Sequence, residues 1–196
     1  MIYLVLAHPY PSQSRANKAL LAALRDLPEI ELCSLYERYP DFDIDVVAEQ
    51  AALGRAQLIV WMHPVFWYSA PALLKHWFDQ VLSHGWAYGD GAAALRGKDC
   101  LWVATTGGTP QAYSAAGIHQ RPFADFMPPL EETARFCGMN WLAPCILHGA
   151  NDIGEQQLAV HAGHLRGRLE AWLAGNAGTN GTIGTSGTIG TTGPPT

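Results

Sequence analysis

Residues 58–83 constrain the fold more tightly than any other stretch. Leu58-Ile59-Val60-Trp61-Met62 is apolar without interruption. A strand wetted on one side alternates with period two, so an unbroken run belongs to a strand covered on both faces, as in the parallel sheet of an α/β protein. The pattern breaks at His63-Pro64-Val65-Phe66-Trp67-Tyr68-Ser69-Ala70-Pro71, which crowds aromatic rings and prolines into a loop with no periodic face to bury them. Pro71 suits the first turn of a helix, and Leu74, Phe78, Val81 and Leu82 recur at helical spacing up to Ser83. Rings are thus concentrated at the carboxyl end of a parallel strand, where open α/β sheets take their ligands. A flat aromatic ligand accounts for such a loop.

The same strand, loop and helix unit recurs along the chain. Residues 2–7 read as a buried strand, and residues 14–27 as a helix with Ala16, Ala19, Leu20, Ala23, Leu24 and Leu27 on its apolar side. Residues 30–35 form a short second strand, and Asp45 caps a helix that carries Glu49 in its first turns. Residues 98–105 give a fourth strand, residues 123–137 a helix interrupted near Pro128-Pro129, and residues 139–148 a fifth strand, in which Pro144 implies an edge position or a bulge. The last helix, 154–173, has Leu158, His161, Leu165, Leu169 and Trp172 as its inner face. This alternation predicts an α/β fold, a doubly wound, five-stranded parallel sheet of order 2-1-3-4-5 with helices on both faces.

Composition narrows the function classes. With 196 residues the chain suffices for one domain that buries roughly 70% of the surface its unfolded form exposes. A charge of −5 without clustered Lys or Arg argues against a nucleic-acid partner. Cys33, Cys100, Cys137 and Cys145 fall in or beside apolar runs and form no C-x-x-C pair, which fits buried thiols in a reducing compartment. The apolar run at the amino terminus ends at Ala7 and is too short for a signal peptide, so a cytoplasmic location is expected.

Two further loops carry ligand chemistry. Between the first strand and its helix stands His8-Pro-Tyr-Pro-Ser-Gln-Ser-Arg-Ala-Asn17. A polar loop opening a helix presents free backbone N–H groups and the positive end of the helix dipole to an anion. Taken alone, Ser14 with Asn17 also fits a plain helix cap. The fourth strand runs into Thr105-Thr106-Gly107-Gly108, whose glycines let a backbone lie close to a ligand. In a sheet of order 2-1-3-4-5 the ends of strands one, three and four lie side by side at the switch point.

Those residues also carry a family resemblance. His63-Pro-Val-Phe-Trp-Tyr-Ser-Ala-Pro-Ala-Leu-Leu-Lys-His-Trp-Phe-Asp79, the His-Pro…Ser-x-x-Asn loop and Tyr39-Pro-Asp-Phe-Asp-Ile-Asp45 resemble the flavin-dependent NAD(P)H:quinone oxidoreductases. Among these, the segments are most similar to the ancillary proteins of bacterial glutathione-regulated potassium-efflux systems. The resemblance implies a flavodoxin-like fold with the flavin phosphate held by His8, Ser14, Arg15, Ala16 and Asn17. Val65, Phe66, Trp67 and Tyr68 with Thr105, Thr106, Gly107 and Gly108 then flank the ring. Tyr113-Ser-x-x-Gly-Ile-His119 is similar to the loop of the animal quinone reductases in which a Tyr and a His assist hydride transfer. Tyr113 and His119 are therefore the expected catalytic pair, in a substrate pocket lined by Trp67, Tyr68, Tyr113 and His119. Tyr88 matches a family residue that reaches in from a partner subunit, which implies a homodimer.

The implied cofactor is FMN, with FAD as the alternative because Gln50 matches a position near the adenine of FAD-binding relatives. NADPH or NADH is the implied donor, and a quinone the acceptor. A second role follows from the same resemblance: regulation of a potassium-efflux antiporter, peripheral at the inner membrane. A one-electron flavodoxin carrier is disfavoured, because its Thr-Gly-Asn-Thr type of phosphate loop is absent.

Other features point away from chemistry. The acidic turn 41–45 lacks the Gly and terminal Glu of a calcium loop, and His161 with His164 lacks a third ligand at helical spacing. The domain is expected to end at residue 174. From Gly175 glycine recurs every third residue with little proline, the composition of a flexible tail over 175–196.

Overall fold

β1 (Ile2–Leu6) and β3 (Leu58–Pro64) pair in parallel at the centre of the sheet, and every residue of both is buried. The computed structural model describes residues 1–177, and the expected tail beyond them lies outside the described residues. β2 (Ile30–Ser34) adds to the free side of β1, and β4 (Asp99–Thr105) to that of β3. The last strand is split in two, β5 (Asn140–Trp141) and β6 (Cys145–Leu147), both parallel to β4, so the order is β2-β1-β3-β4 followed by the split strand. The split falls at Ala143-Pro144, where the proline has no N–H to give a ladder.

Alternate residues along each strand feed two cores. Leu4, Leu6, Val60 and Met62 pack against α1 (Arg15–Leu24) and α6 (Glu155–Ala177). Tyr3, Val5, Ile59, Trp61 and Trp102 face the other side, covered by α3 (Val46–Arg55), α4 (Ala72–Val81) and α5 (Pro128–Phe136). Burial on both faces is the reason the strand sequences show no polar alternation.

The structure corrects several boundaries. β3 runs through His63 and Pro64, which the sequence pattern assigned to the aromatic loop. A four-residue helix, α2 (Leu35–Arg38), follows β2 directly and was not anticipated. α6 extends to Ala177, so residues 175–177 are helical rather than tail. Its inner face carries Leu158, Ala162, Leu165 and Leu169, while His161 points outward and Trp172 is half-buried, its indole donating to Asp99 Oδ2 at 2.7 Å.

Glu49 is the largest departure from expectation. It is completely buried and accepts hydrogen bonds from Tyr3 Oη and Tyr39 Oη at 2.7 Å and from Trp77 Nε1 at 2.9 Å. Arg38 Nη1 stands 3.4 Å away. Burial, with the carboxylate beside them, pushes the Tyr3 and Tyr39 phenols up, so both remain donors. One carboxylate thus joins β1, α3 and α4 with the turn after α2. The last tie matters for position, because α4 begins directly after the aromatic loop.

Candidate functional site

Ser14 caps α1, its Oγ accepting from Asn17 N at 3.2 Å and from Asn17 Nδ2 at 2.9 Å. Helix geometry leaves the Arg15 and Ala16 amides without intrahelical acceptors. His8 Nδ1 accepts from Tyr10 N–H at 3.0 Å, which puts the ring proton on Nε2, and burial pushes its pKa down. The neutral ring is therefore an outward N–H donor. Asn17 is 3% exposed, reaches Thr105 Oγ1 at 3.4 Å, and leaves its Oδ1 without a partner. The Arg15 guanidinium donates to Ile153 O just before α6, which ties the first loop to the last one.

The aromatic loop is a two-residue hairpin. Phe66 and Ser69 exchange both backbone hydrogen bonds at 3.0 Å, with Trp67 and Tyr68 between them at φ 49° and 65°. Such turns normally carry Asn or Gly, and left-handed backbone in bulky residues costs roughly 1–3 kcal/mol each. Val65 N–H donates to Thr105 O at 2.8 Å and fixes the hairpin to the end of β4. Strain of this kind marks functional loops. Trp67 is 93% exposed.

After β4 the Thr106 amide is consumed by Leu147 O at 2.9 Å, whereas the Gly107 and Gly108 amides meet no acceptor among the described residues. Two donors, rather than three, are therefore free there. Gly108 packs tightly, since a Cβ on it would stand 3.0 Å from Tyr113 Cε2 and 3.3 Å from His119 Nε2. Tyr113 and His119 stack with centroids 4.3 Å apart, and His119 Nδ1 lies 3.4 Å from Tyr68 Oη. Gly117 permits this turn, as a Cβ there would approach Gln111 O to 2.2 Å. Burial raises the Tyr113 pKa and keeps the phenol a donor. Phe123, Phe126 and His148 complete an aromatic cluster around Tyr113.

The three strand ends enclose one cavity of about 530 Å3, lined by His8, Ser14, Arg15 and Ala16, by Val65 and Phe66, and by Thr105, Thr106 and Gly107. Tyr68, Gly108, Tyr113 and His119 form one cluster beyond its rim. Trp67 stands in solvent rather than in the cavity. Tyr88 lies in a separate groove with Ser69, Phe78 and Phe136. Gln50 is also elsewhere, its amide donating to Val81 O and Ser83 Oγ at 2.9 and 3.1 Å. Sequence reasoning missed Ala150 and Asn151, which line the same cavity. The expected strand order held the signal, because the carboxyl end of the fifth strand reaches the same edge.

These residues fit a flavin. The volume suits a cofactor of that size. Free amides at the start of α1 and the His8 Nε2–H suit a phosphate, and Asn17, which lies behind the cavity lining, holds Ser14 Oγ and Thr105 Oγ1 in place.

Comparison with known proteins agrees. The Flavodoxin_2 family, described as a flavodoxin-like fold, matches residues 1–169. The glutathione-regulated potassium-efflux system ancillary protein KefF of Citrobacter koseri is 49% identical over 178 residues, covering 91% of this chain and 100% of that protein. General stress protein 14 of Treponema denticola, solved in complex with FMN, superposes with a TM-score of 0.82 at 33% identity, over 87% of this chain and 98% of that one. An NADPH-quinone reductase from P. pentosaceus gives a TM-score of 0.78 at 26% identity, over 85% and 95%. From fold, site and comparisons together, the chain belongs to the flavodoxin-like NAD(P)H:quinone oxidoreductase family, alongside the ancillary proteins of glutathione-regulated potassium-efflux systems.

Proposed function

We propose that this chain is a flavin-dependent oxidoreductase that passes two electrons, as hydride, from NADPH or NADH through FMN to a quinone or similar acceptor. The observation that carries the reading is the meeting of three strand-end loops around one cavity of about 530 Å3, with Tyr113 and His119 stacked beside it. The bound flavin supplies acceptance of a hydride from one substrate and its delivery to the next. His8, Ser14, Arg15 and Ala16 hold the phosphate end, with Asn17 fixing the Ser14 hydroxyl behind them, and Gly107 and Gly108 offer N–H donors to the ring. The protonated Tyr113 phenol donates to developing negative charge, and His119 exchanges the accompanying proton. Phe66 and Tyr68 keep water from the reacting face.

FMN is preferred to FAD because a relative of the same fold carries it. The test is the visible spectrum of the purified chain, with chromatography of whatever heat releases. Released FMN supports the reading and FAD replaces the cofactor. Failure to take up either flavin on reconstitution contradicts it.

A second role is favoured by identity across the whole length of a potassium-efflux ancillary protein. In this role the chain also regulates an antiporter, docking at the cytoplasmic face of the inner membrane. Among the described residues no helix is long and apolar enough to cross a membrane. The assembly proposed is a two-fold homodimer in which Tyr88 and the 71% exposed Phe136, both on the groove beside Ser69, meet the second copy and bring Tyr88 to its site. Co-purification with an antiporter tests the first point. Sedimentation of wild type against Phe136→Glu tests the second, with a monomeric wild type as the contrary result.

A further inference from the structure

We propose that His148, which no motif marks, is a positioning residue for hydride transfer: it fixes the Thr106 hydroxyl, and through it the 106–108 turn, and packs against the Tyr113 ring that this turn supports. This rests on the oxidoreductase reading above.

Thr106 is 1% exposed, and its hydroxyl has one proton and two lone pairs. The proton is committed to Gly108 O at 2.7 Å. His148 Nδ1 lies 2.9 Å from the same oxygen and must therefore bring its own proton, which assigns the Nδ1–H tautomer. One lone pair remains on that oxygen. The hydroxyl is then held between Gly108 O and His148 Nδ1 and cannot rotate without losing a partner.

The consequence reaches the reacting groups. Gly108 O accepts from Thr106 Oγ1 and also from Gly149 N at 2.9 Å, so the residue after His148 grips the same carbonyl. Gly108 in turn packs so closely against Tyr113 and His119 that a methyl group there would require those rings to give by a few tenths of an ångström. His148 is held between Tyr113 and Phe123, with centroids 5.3 and 5.0 Å away. The remainder of its ring lines a second cavity of about 690 Å3 with Asp152 and His161, and burial together with His161 lowers its pKa. A neutral ring can have either tautomer, and only one serves Thr106.

Three variants separate positioning from bulk. His148→Asn keeps an N–H donor at the Nδ1 position, His148→Gln moves it to the Nε2 position, and His148→Phe removes it. The readouts are thermal melting, FMN affinity, stopped-flow flavin reduction by NADPH, and the 13Cζ NMR resonance of Tyr113 in the flavin-free chain. The expected result is that the Phe and Gln variants fold and bind FMN but reduce it about tenfold more slowly, as losing one hydrogen bond implies. Both should also shift the Tyr113 resonance, and Asn should restore rate and resonance together. A Phe variant with wild-type rate and resonance overturns the proposal, as does rescue by Gln equal to that by Asn. If wild type takes up no flavin, the oxidoreductase reading fails instead. The Tyr113 resonance of the flavin-free chain then still decides whether His148 fixes the ring.

Discussion

Glu49→Leu is expected to be among the most destabilising single substitutions in the chain. The carboxylate is fully buried and serves Tyr3, Tyr39 and Trp77 at 2.7, 2.7 and 2.9 Å. Leucine fills much of the volume but leaves these three buried donors without an acceptor, each costing about 1–3 kcal/mol when wholly orphaned, together with the weakly donating Cys33 thiol at 3.5 Å. The two hydroxyls can rotate to recover part of that, whereas the Trp77 indole N–H cannot. Arg38 is 43% exposed, so its ion pair adds little. A net loss of about 4 kcal/mol follows, within the range for breaking a buried polar cluster by removing one member. At ~2–4 °C per kcal/mol for a domain of this size, the melting temperature should fall by about 8–16 °C. Glu49→Gln keeps an acceptor oxygen and should lose roughly 1–2 kcal/mol. Urea unfolding followed by tryptophan fluorescence and by circular dichroism gives both numbers and checks that the transitions coincide. A Leu variant within about 1 kcal/mol of wild type would refute the reasoning. So would a Gln variant less stable than the Leu variant, since the donors would then not need the oxygen.

Asn17→Ala should weaken flavin binding by about tenfold, the loss of one or two hydrogen bonds, measured by flavin fluorescence titration; unchanged affinity removes Asn17 from the site. Tyr113→Phe and His119→Gln should each retain flavin yet slow its reduction by NAD(P)H, and stopped-flow rates equal to wild type would exclude both from the chemistry. Complete burial lowers the His63 pKa from 6.5 to about 4. In the folded chain its Nε2 accepts from Trp102 Nε1 at 2.8 Å. A folded-state value below the unfolded one means the unfolded chain takes up the proton first. The contribution is therefore complete above pH 6.5 and is lost, by about 3 kcal/mol, as pH falls to about 4. Urea midpoints across that window should fall more steeply for wild type than for His63→Gln, and equal slopes would contradict the assignment.

Much of the fold was legible because strands buried on both faces announce themselves. Leu58-Ile59-Val60-Trp61-Met62 admits few alternatives, and Pro144 marked the break in the last strand. The loops at strands one, three and four were legible for a related reason: His8, Ser14, Phe66 and Thr106 sit where a doubly wound sheet puts its ligand. What stayed hidden depends on side-chain partners far apart in sequence. Glu49 reads as a helix-opening residue, and nothing local says that Tyr3, Tyr39 and Trp77 converge on it. His63 resembles a loop residue until Trp102 is seen to bond it inside β3. The link from Thr106 to His148 spans two strand ends, and Trp67 alone does not reveal that its ring points to solvent.

The central claim is that the cavity joining the ends of β1, β3 and β4 carries a flavin that cycles between a nicotinamide donor and a quinone. The most direct test is anaerobic addition of NADPH, and then of NADH, to the flavin-loaded chain, followed by a quinone, with absorbance read near the flavin maximum. The account predicts bleaching by at least one nicotinamide and full recovery on addition of one equivalent of quinone. A flavin that stays oxidised with both donors, while dithionite still reduces it, would contradict the account and leave flavin binding without turnover.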